Sequence, residues 1–93
     1  MSAPLASTAR PRLPRGVRLR HDAVRDTWML LAPERAFRVD PVAAAVVELC
    51  DGARDVHDIA ATLAERYAAN PVEVEADVAA MLGDLVAKRV VEP

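Results

Sequence analysis

Two prolines stand directly behind capping side chains, in Asp40-Pro41 and Asn70-Pro71, and Asp55 with Asp58 gives a third helix start between them. These three signals restrict the fold more tightly than anything else in the 93 residues. An Asp or Asn side chain accepts the unpartnered N–H groups of a first helical turn. Proline at the first helical position has no N–H to lose and a φ already set for the helix. Asp55 and Asp58 have the spacing of a capping box, with Asp in both roles. Behind each start runs an apolar stripe of helical period: Val42, Val46, Leu49 and Cys50; then Ile59, Leu63 and Tyr67; then Val74, Val78, Met81, Leu82, Leu85 and Val86. Gly52 is expected to end the first helix through a left-handed C-cap. The closing "KRVVEP" reads as a short extended piece.

The front half has a different period. "GVRLRHD" alternates, with Val17 and Leu19 on one face and Arg18 and Arg20 on the other. "TWMLLA", Thr27 to Ala32, is an apolar run of strand length, and "AFRVD" alternates again with Phe37 and Val39 together. Pro33 to Arg35 reads as the turn between them. Three strands with short connections predict a meander. The expected fold is α+β and helix-rich: a short three-stranded antiparallel sheet followed by three helices, winged-helix-like. Residues 1–12, rich in Ala, Ser and Pro without periodicity, are expected to be a disordered tail, and 13–93 a single domain. Trp28, Phe37 and Tyr67 are the only aromatics, so the core must be aliphatic.

The first two helices form a helix-turn-helix, which raises a DNA-binding regulator as one reading. Charge opposes it. Met1 to Arg38 carries eight arginines against Asp22, Asp26 and Glu34, a balance of +5. Val39 to Pro93 carries eleven acids against Arg54, Arg66, Lys88 and Arg89, a balance of −7. The outward positions of the second helix are His57, Asp58, Ala61, Thr62, Glu65, Arg66 and Ala69, without Lys, Asn or Gln. Phosphate neutralisation supplies most non-specific affinity, so that face argues strongly against nucleic acid. Catalysis finds no support either. Cys50 on an apolar helix face reads as a core residue, His21 and His57 lack partners at metal-ligand spacing, and the three isolated glycines form no phosphate loop. No enzyme, metal or cofactor is expected. No run approaches the ~18 apolar residues that span a bilayer. A single cysteine and a start without an apolar signal region predict a cytoplasmic protein.

Two features exceed what a bland domain needs. "WMLLA" is apolar on both faces, Trp28 with Leu30 and Met29 with Leu31. Either loops or the N-terminal segment cover the second face, or it binds a peptide or another protomer. Ala76, Ala80, Gly83 and Ala87 form a stripe of small residues on the third helix. It serves either ordinary helix packing or the close approach of another backbone.

The stretches "RLPRGVRLRHDAVRDTWMLLAPER", "LCDGARDVHDIAATLAERY" and "VEADVAAMLGDLVAKRVV" together resemble the PqqD family of pyrroloquinoline quinone biosynthesis, over nearly all of Arg12 to Val91. Lys88-Arg89 departs from the family, where a glycine-containing turn is expected. The resemblance implies a peptide-binding module that holds the ribosomal precursor peptide PqqA and presents it to the radical SAM enzyme PqqE. It also implies that the peptide adds as a strand to the sheet edge and leans on the third helix. The residues expected to carry binding are Trp28, Leu30, Arg35, Phe37, Arg38, Val39, Met81, Leu82 and Leu85. Arg35 and Arg38 would attract an acidic peptide, Phe37 would shape a pocket, and the α-helical residues would form its apolar wall. A winged-helix DNA-binding regulator and a structural adaptor without a peptide ligand are the remaining alternatives. With the hairpin's second face uncovered, a homodimer through the Arg18 to Val39 region is also expected.

Overall fold

The computed structural model describes residues 2–93; what was expected of Met1 lies outside the described residues. Strands β1 (Arg18–Asp22), β2 (Thr27–Ala32) and β3 (Arg35–Val39) precede helices α1 (Pro41–Glu48), α2 (Val56–Arg66) and α3 (Pro71–Ala87). The α+β, winged-helix-like order read from the sequence is the one observed. The strands form one antiparallel sheet in the order β1-β2-β3. Asp22 closes the first turn, its carboxylate accepting the N–H groups of Val24 and Arg25 at 3.1 and 3.3 Å. Pro33 and Glu34 form the second, with Glu34 at φ 61.

Register decides which side chains meet. Leu19 lies opposite Leu30 and Leu30 opposite Phe37, while Arg20 lies opposite Met29 and Met29 opposite Arg38. Side chains alternate across a pleated sheet, so the first row faces the helices and the second faces away. Leu30 is fully buried in one core with Val46, Ile59, Leu63 and Leu82, and Leu19, Phe37 and Val39 pack against it. Burying each of these larger aliphatic side chains contributes roughly 1.5–3 kcal/mol. The opposite face keeps Met29 and Leu31 half-buried among exposed Arg18, Arg20 and Arg38. The second face of β2 therefore remains partly open.

The three start signals act as expected. Asp40 accepts the Ala43 N–H at 2.7 Å ahead of Pro41, and Asn70 accepts those of Val72 and Glu73 ahead of Pro71. Asp55 and Asp58 form the reciprocal capping box. Gly52 is a correction. The first helix stops at Glu48 with Leu49 as its cap, and Leu49 and Cys50 bond back to Val46 and Val47 in a tightened last turn. Gly52 has φ 78 but sits in the next loop, where its N–H donates to the Pro11 carbonyl. Asp51 shapes that loop by accepting from Ala53 and Arg54.

Both longer helices end in Schellman motifs. After α2, Ala68 N–H bonds Glu65 and Ala69 N–H bonds Ala64; after α3, Arg89 bonds Val86 and Val90 bonds Leu85. The left-handed residues are Ala68 (φ 51) and Arg89 (φ 61), where glycine is usual. Arg89 is the departure from the family pattern noted above, and the turn still forms. An L-residue in this region costs roughly 1–2 kcal/mol. Arg89→Gly and Ala68→Gly are each expected to stabilise the domain by about 1 kcal/mol, part of the relief being offset by the greater freedom of glycine when unfolded. Thermal unfolding checks this, and a fall in Tm for both variants would contradict it.

In the structure the N-terminal segment lies along the body. Ala9 and Ser7 present their carbonyls to the N–H groups of Val56 and His57, in the first turn of α2. Those groups have no intrahelical partner, so an extended chain passing the helix start satisfies them. Arg12 and Glu92 exchange both backbone hydrogen bonds and an ion pair of 2.8 Å, and Pro11 is buried. Alanine and proline carry no helical or strand period, so these main-chain contacts leave no pattern in the sequence.

Candidate functional site

The outer edge of β3 has no strand partner among the described residues, and the C-terminal end of α3 meets the first residues of that strand. At one end, Arg35 donates from Nη1 to the Lys88 carbonyl at the end of α3, at 2.9 Å. The Arg35 guanidinium and the Lys88 ammonium lie 5.5 and 5.9 Å from the Phe37 ring centroid, within cation–π range. At the other end, β3 passes through Val39 into α1. There Val42 faces α3 across a cavity of about 230 Å³, lined also by Tyr67, Val74, Val78 and Met81. Asp77 is the one charged residue in this lining. The cavity lies among α1, α2 and α3, and the open edge of β3 leaves main-chain donors and acceptors unpaired among the described residues.

Of the residues expected at the site, Met81 lines the cavity. Others do not. Phe37 and Val39 are half-buried on the helix-facing side of β3, packed against the core. Leu30 and Leu82 are 0% exposed and Leu85 is 8% exposed, all within the core cluster, so they support the site without reaching it. Trp28 stands on the central strand, opposite Val39, with its ring 4.5 Å from that of His21 on β1. It is a full strand away from the open edge. Arg35 and Arg38 were expected to act together, yet three residues along a strand places them on opposite faces. Arg35 is engaged with α3, whereas Arg38 projects from the outward face opposite Met29. Val42, Tyr67, Val74 and Val78 were read as ordinary helix stripes, and their place in the cavity lining was missed. Val42 and Tyr67 are each 52% exposed, too open for core. A tyrosine at a helix end, apolar in body and polar at its tip, was the available clue.

Elsewhere the titratable groups have structural settings. Burial pushes the Cys50 thiol up to about 12, helped by the Asp51 charge, and its Sγ donates to the Val46 carbonyl at 3.3 Å. Such a thiol is neutral at ordinary pH. His57 meets Glu75 across the α2–α3 groove, Nδ1 to Oε1 2.6 Å. The Glu75 hydrogen bond and its charge, with smaller contributions from Asp55 and Asp58, raise the His57 pKa above 6.5. A raised folded-state value means that the pair stabilises below the unfolded pKa and that this is lost as pH rises through the folded value. The denaturant midpoint is therefore expected to decline modestly above about pH 6.5, and less so in His57→Gln. Identical pH profiles for the two proteins would contradict the assignment. No group of three or more potential metal ligands occurs among the described residues, and no helix is long and apolar enough to cross a membrane.

A winged-helix-like domain with an open sheet edge and an apolar cavity has features that modules binding an extended chain use. The family model described as coenzyme PQQ synthesis protein D (PqqD) matches residues 27–91. A PqqA binding protein of Rhodopseudomonas palustris is 49% identical over 84 residues, covering 90% of this chain and 82% of that protein. The solution structure of the PqqD portion of Methylobacterium extorquens PqqCD, described as a stand-alone recognition element for ribosomally synthesised, post-translationally modified peptides, superposes with a TM-score of 0.85. That chain is 49% identical, and the match covers 96% of this chain and 95% of that one. Lasso peptide synthetase B1, solved with its leader peptide, shares the fold at a TM-score of 0.76 and 21% identity, over 91% of this chain and all of that one. The chain belongs to the PqqD family.

Proposed function

We propose that this protein binds the precursor peptide PqqA in the cleft between β3 and α3, and presents it in the cytoplasm to the radical SAM enzyme PqqE. It acts by binding, without chemistry of its own. The observations that support the reading are the open edge of β3 and the cavity of Val42, Tyr67, Val74, Val78 and Met81. An added strand gains main-chain hydrogen bonds from the edge, and its alternate side chains enter the cavity and the Phe37 end of the cleft. The name of the Rhodopseudomonas relative, at 49% identity, supports PqqA as the peptide.

Arg38 flanks the same edge on the outward face and pairs there with an acidic residue of the bound strand. Calorimetric titration with synthetic PqqA tests the reading. The wild-type chain is expected to bind one peptide saturably. Arg38→Glu is expected to weaken binding by a factor of about 2–5, since an exposed pair is worth up to about 1 kcal/mol. A wild-type chain that takes up no PqqA would overturn the assignment of function. Wild-type affinity in Arg38→Glu would overturn the role of that side chain alone.

A further inference from the structure

Gly83 stands in the middle of α3, where glycine is a poor helix former and nothing in the helix asks for one. The requirement comes from outside. A Cβ built on Gly83 would overlap the carbonyl oxygen of Ala3 and lie 3.2 Å from Pro4 Cα. Four residues back, the Ala79 carbonyl accepts the Leu5 N–H at 2.9 Å, using the lone pair that the helix ladder leaves over. The chain then continues across the groove to the start of α2, where the carbonyls of Ser7 and Ala9 accept from His57 and Val56 at 3.1 and 3.0 Å. Leu5 and Ala9 are half-buried against the core on the way. Only Gly83 of the small-residue stripe is buried; Ala76, Ala80 and Ala87 remain exposed. The stripe thus admits a neighbouring backbone at one point, and that backbone is the protein's own. This segment also precedes the residues matched by the family model, which begin at Thr27.

We propose that residues 3–9 are a built-in peptide ligand of the α2–α3 groove, a strap admitted by Gly83, and that its docking fixes the position of α3 for the cavity on the other side of that helix. Met81 and Gly83 point about 200° apart around the helix axis. The strap therefore grips α3 from behind while Met81 and Val78 line the cavity in front. Main-chain bonds at both α2 and α3 make the strap a tie between the two helices. Its release frees α3 to shift in the direction that reshapes the cavity. The link between this tie and peptide affinity rests on the function proposed above; the docking itself does not.

The test uses the full chain in two variants, Gly83→Ala, which obstructs the strap, and Leu5→Asp, which removes its apolar anchor. Amide exchange at Leu5 and His57 is expected to accelerate about tenfold or more in both, while core amides such as Ile59 and Leu63 keep their protection, as in local opening. The methyl resonances of Val78 and Met81 are expected to move in the same direction in both variants, and the double variant to differ little from either single one, because all three release the same strap. PqqA affinity is expected to fall in parallel. Protection of Leu5 and His57 unchanged in both variants would overturn the strap. So would its release with Val78 and Met81 unmoved, or a double variant whose effects simply add. If the wild-type chain binds no PqqA, the proposed function fails, and the strap is decided by the exchange and methyl measurements alone.

Discussion

Met81→Glu is expected to reduce PqqA affinity at least about a hundredfold while leaving the domain folded. Met81 lies half-buried in the wall of the cavity shared by Val42, Tyr67, Val74 and Val78, so its side chain can turn outward in the free protein and keep a carboxylate in water. A bound peptide closes that route. The carboxylate must then be desolvated among aliphatic groups, beside the like charge of Asp77, and desolvating an unpaired charge costs several kcal/mol unless the group takes up a proton. A loss of about 2.7 kcal/mol already corresponds to a hundredfold change. Met81→Leu keeps volume and polarity and is expected to retain affinity within a few-fold. Calorimetry alongside circular dichroism separates the outcomes. Near-wild-type binding by a folded Met81→Glu protein would remove the cavity from the peptide site.

Leu82→Ala, one residue along, is expected to act on stability. Leu82 is 0% exposed and belongs to the core cluster with Leu30, Ile59 and Leu63. Truncating a buried leucine removes its transfer free energy and leaves a cavity, typically costing about 2–5 kcal/mol. A domain of this size has roughly 5–14 kcal/mol in total, so much of its stability goes with a single side chain. The denaturation midpoint is expected to drop sharply. Under conditions where Leu82→Ala remains folded, peptide affinity is expected to change far less than in Met81→Glu. The contrast between adjacent residues separates core from cleft, and a small stability effect at Leu82 would contradict the packing described.

The helices were legible because their information is local. Asp40, Asp55 and Asn70 bond to backbone within three residues of themselves, so a short stretch of sequence contains the whole arrangement. β2 was equally plain, with "TWMLLA" bounded at Thr27 and Ala32 as read. The site was only partly legible, since an apolar stripe does not announce where core gives way to cleft. Leu82 and Met81 look equivalent in the sequence, and only packing makes one fully buried and the other half-open. Arg35 and Arg38 were misjudged for a simpler reason: strand alternation already puts them on opposite faces. The path of the N-terminal segment along α2 and α3 was not legible. Ser7, Ala9 and Leu5 are held through carbonyl and N–H groups that every residue possesses, and the one residue that records their presence, Gly83, lies more than seventy positions away.

The central claim is that an extended peptide is held between β3 and α3, and amide shift mapping during titration of the labelled protein with PqqA tests it most directly. The account predicts saturable changes concentrated at Ala36 to Val39 and at Val74 to Met81, with the outward face of α2 little affected. Changes concentrated on His57 to Arg66, with β3 and the cavity walls silent, would contradict it.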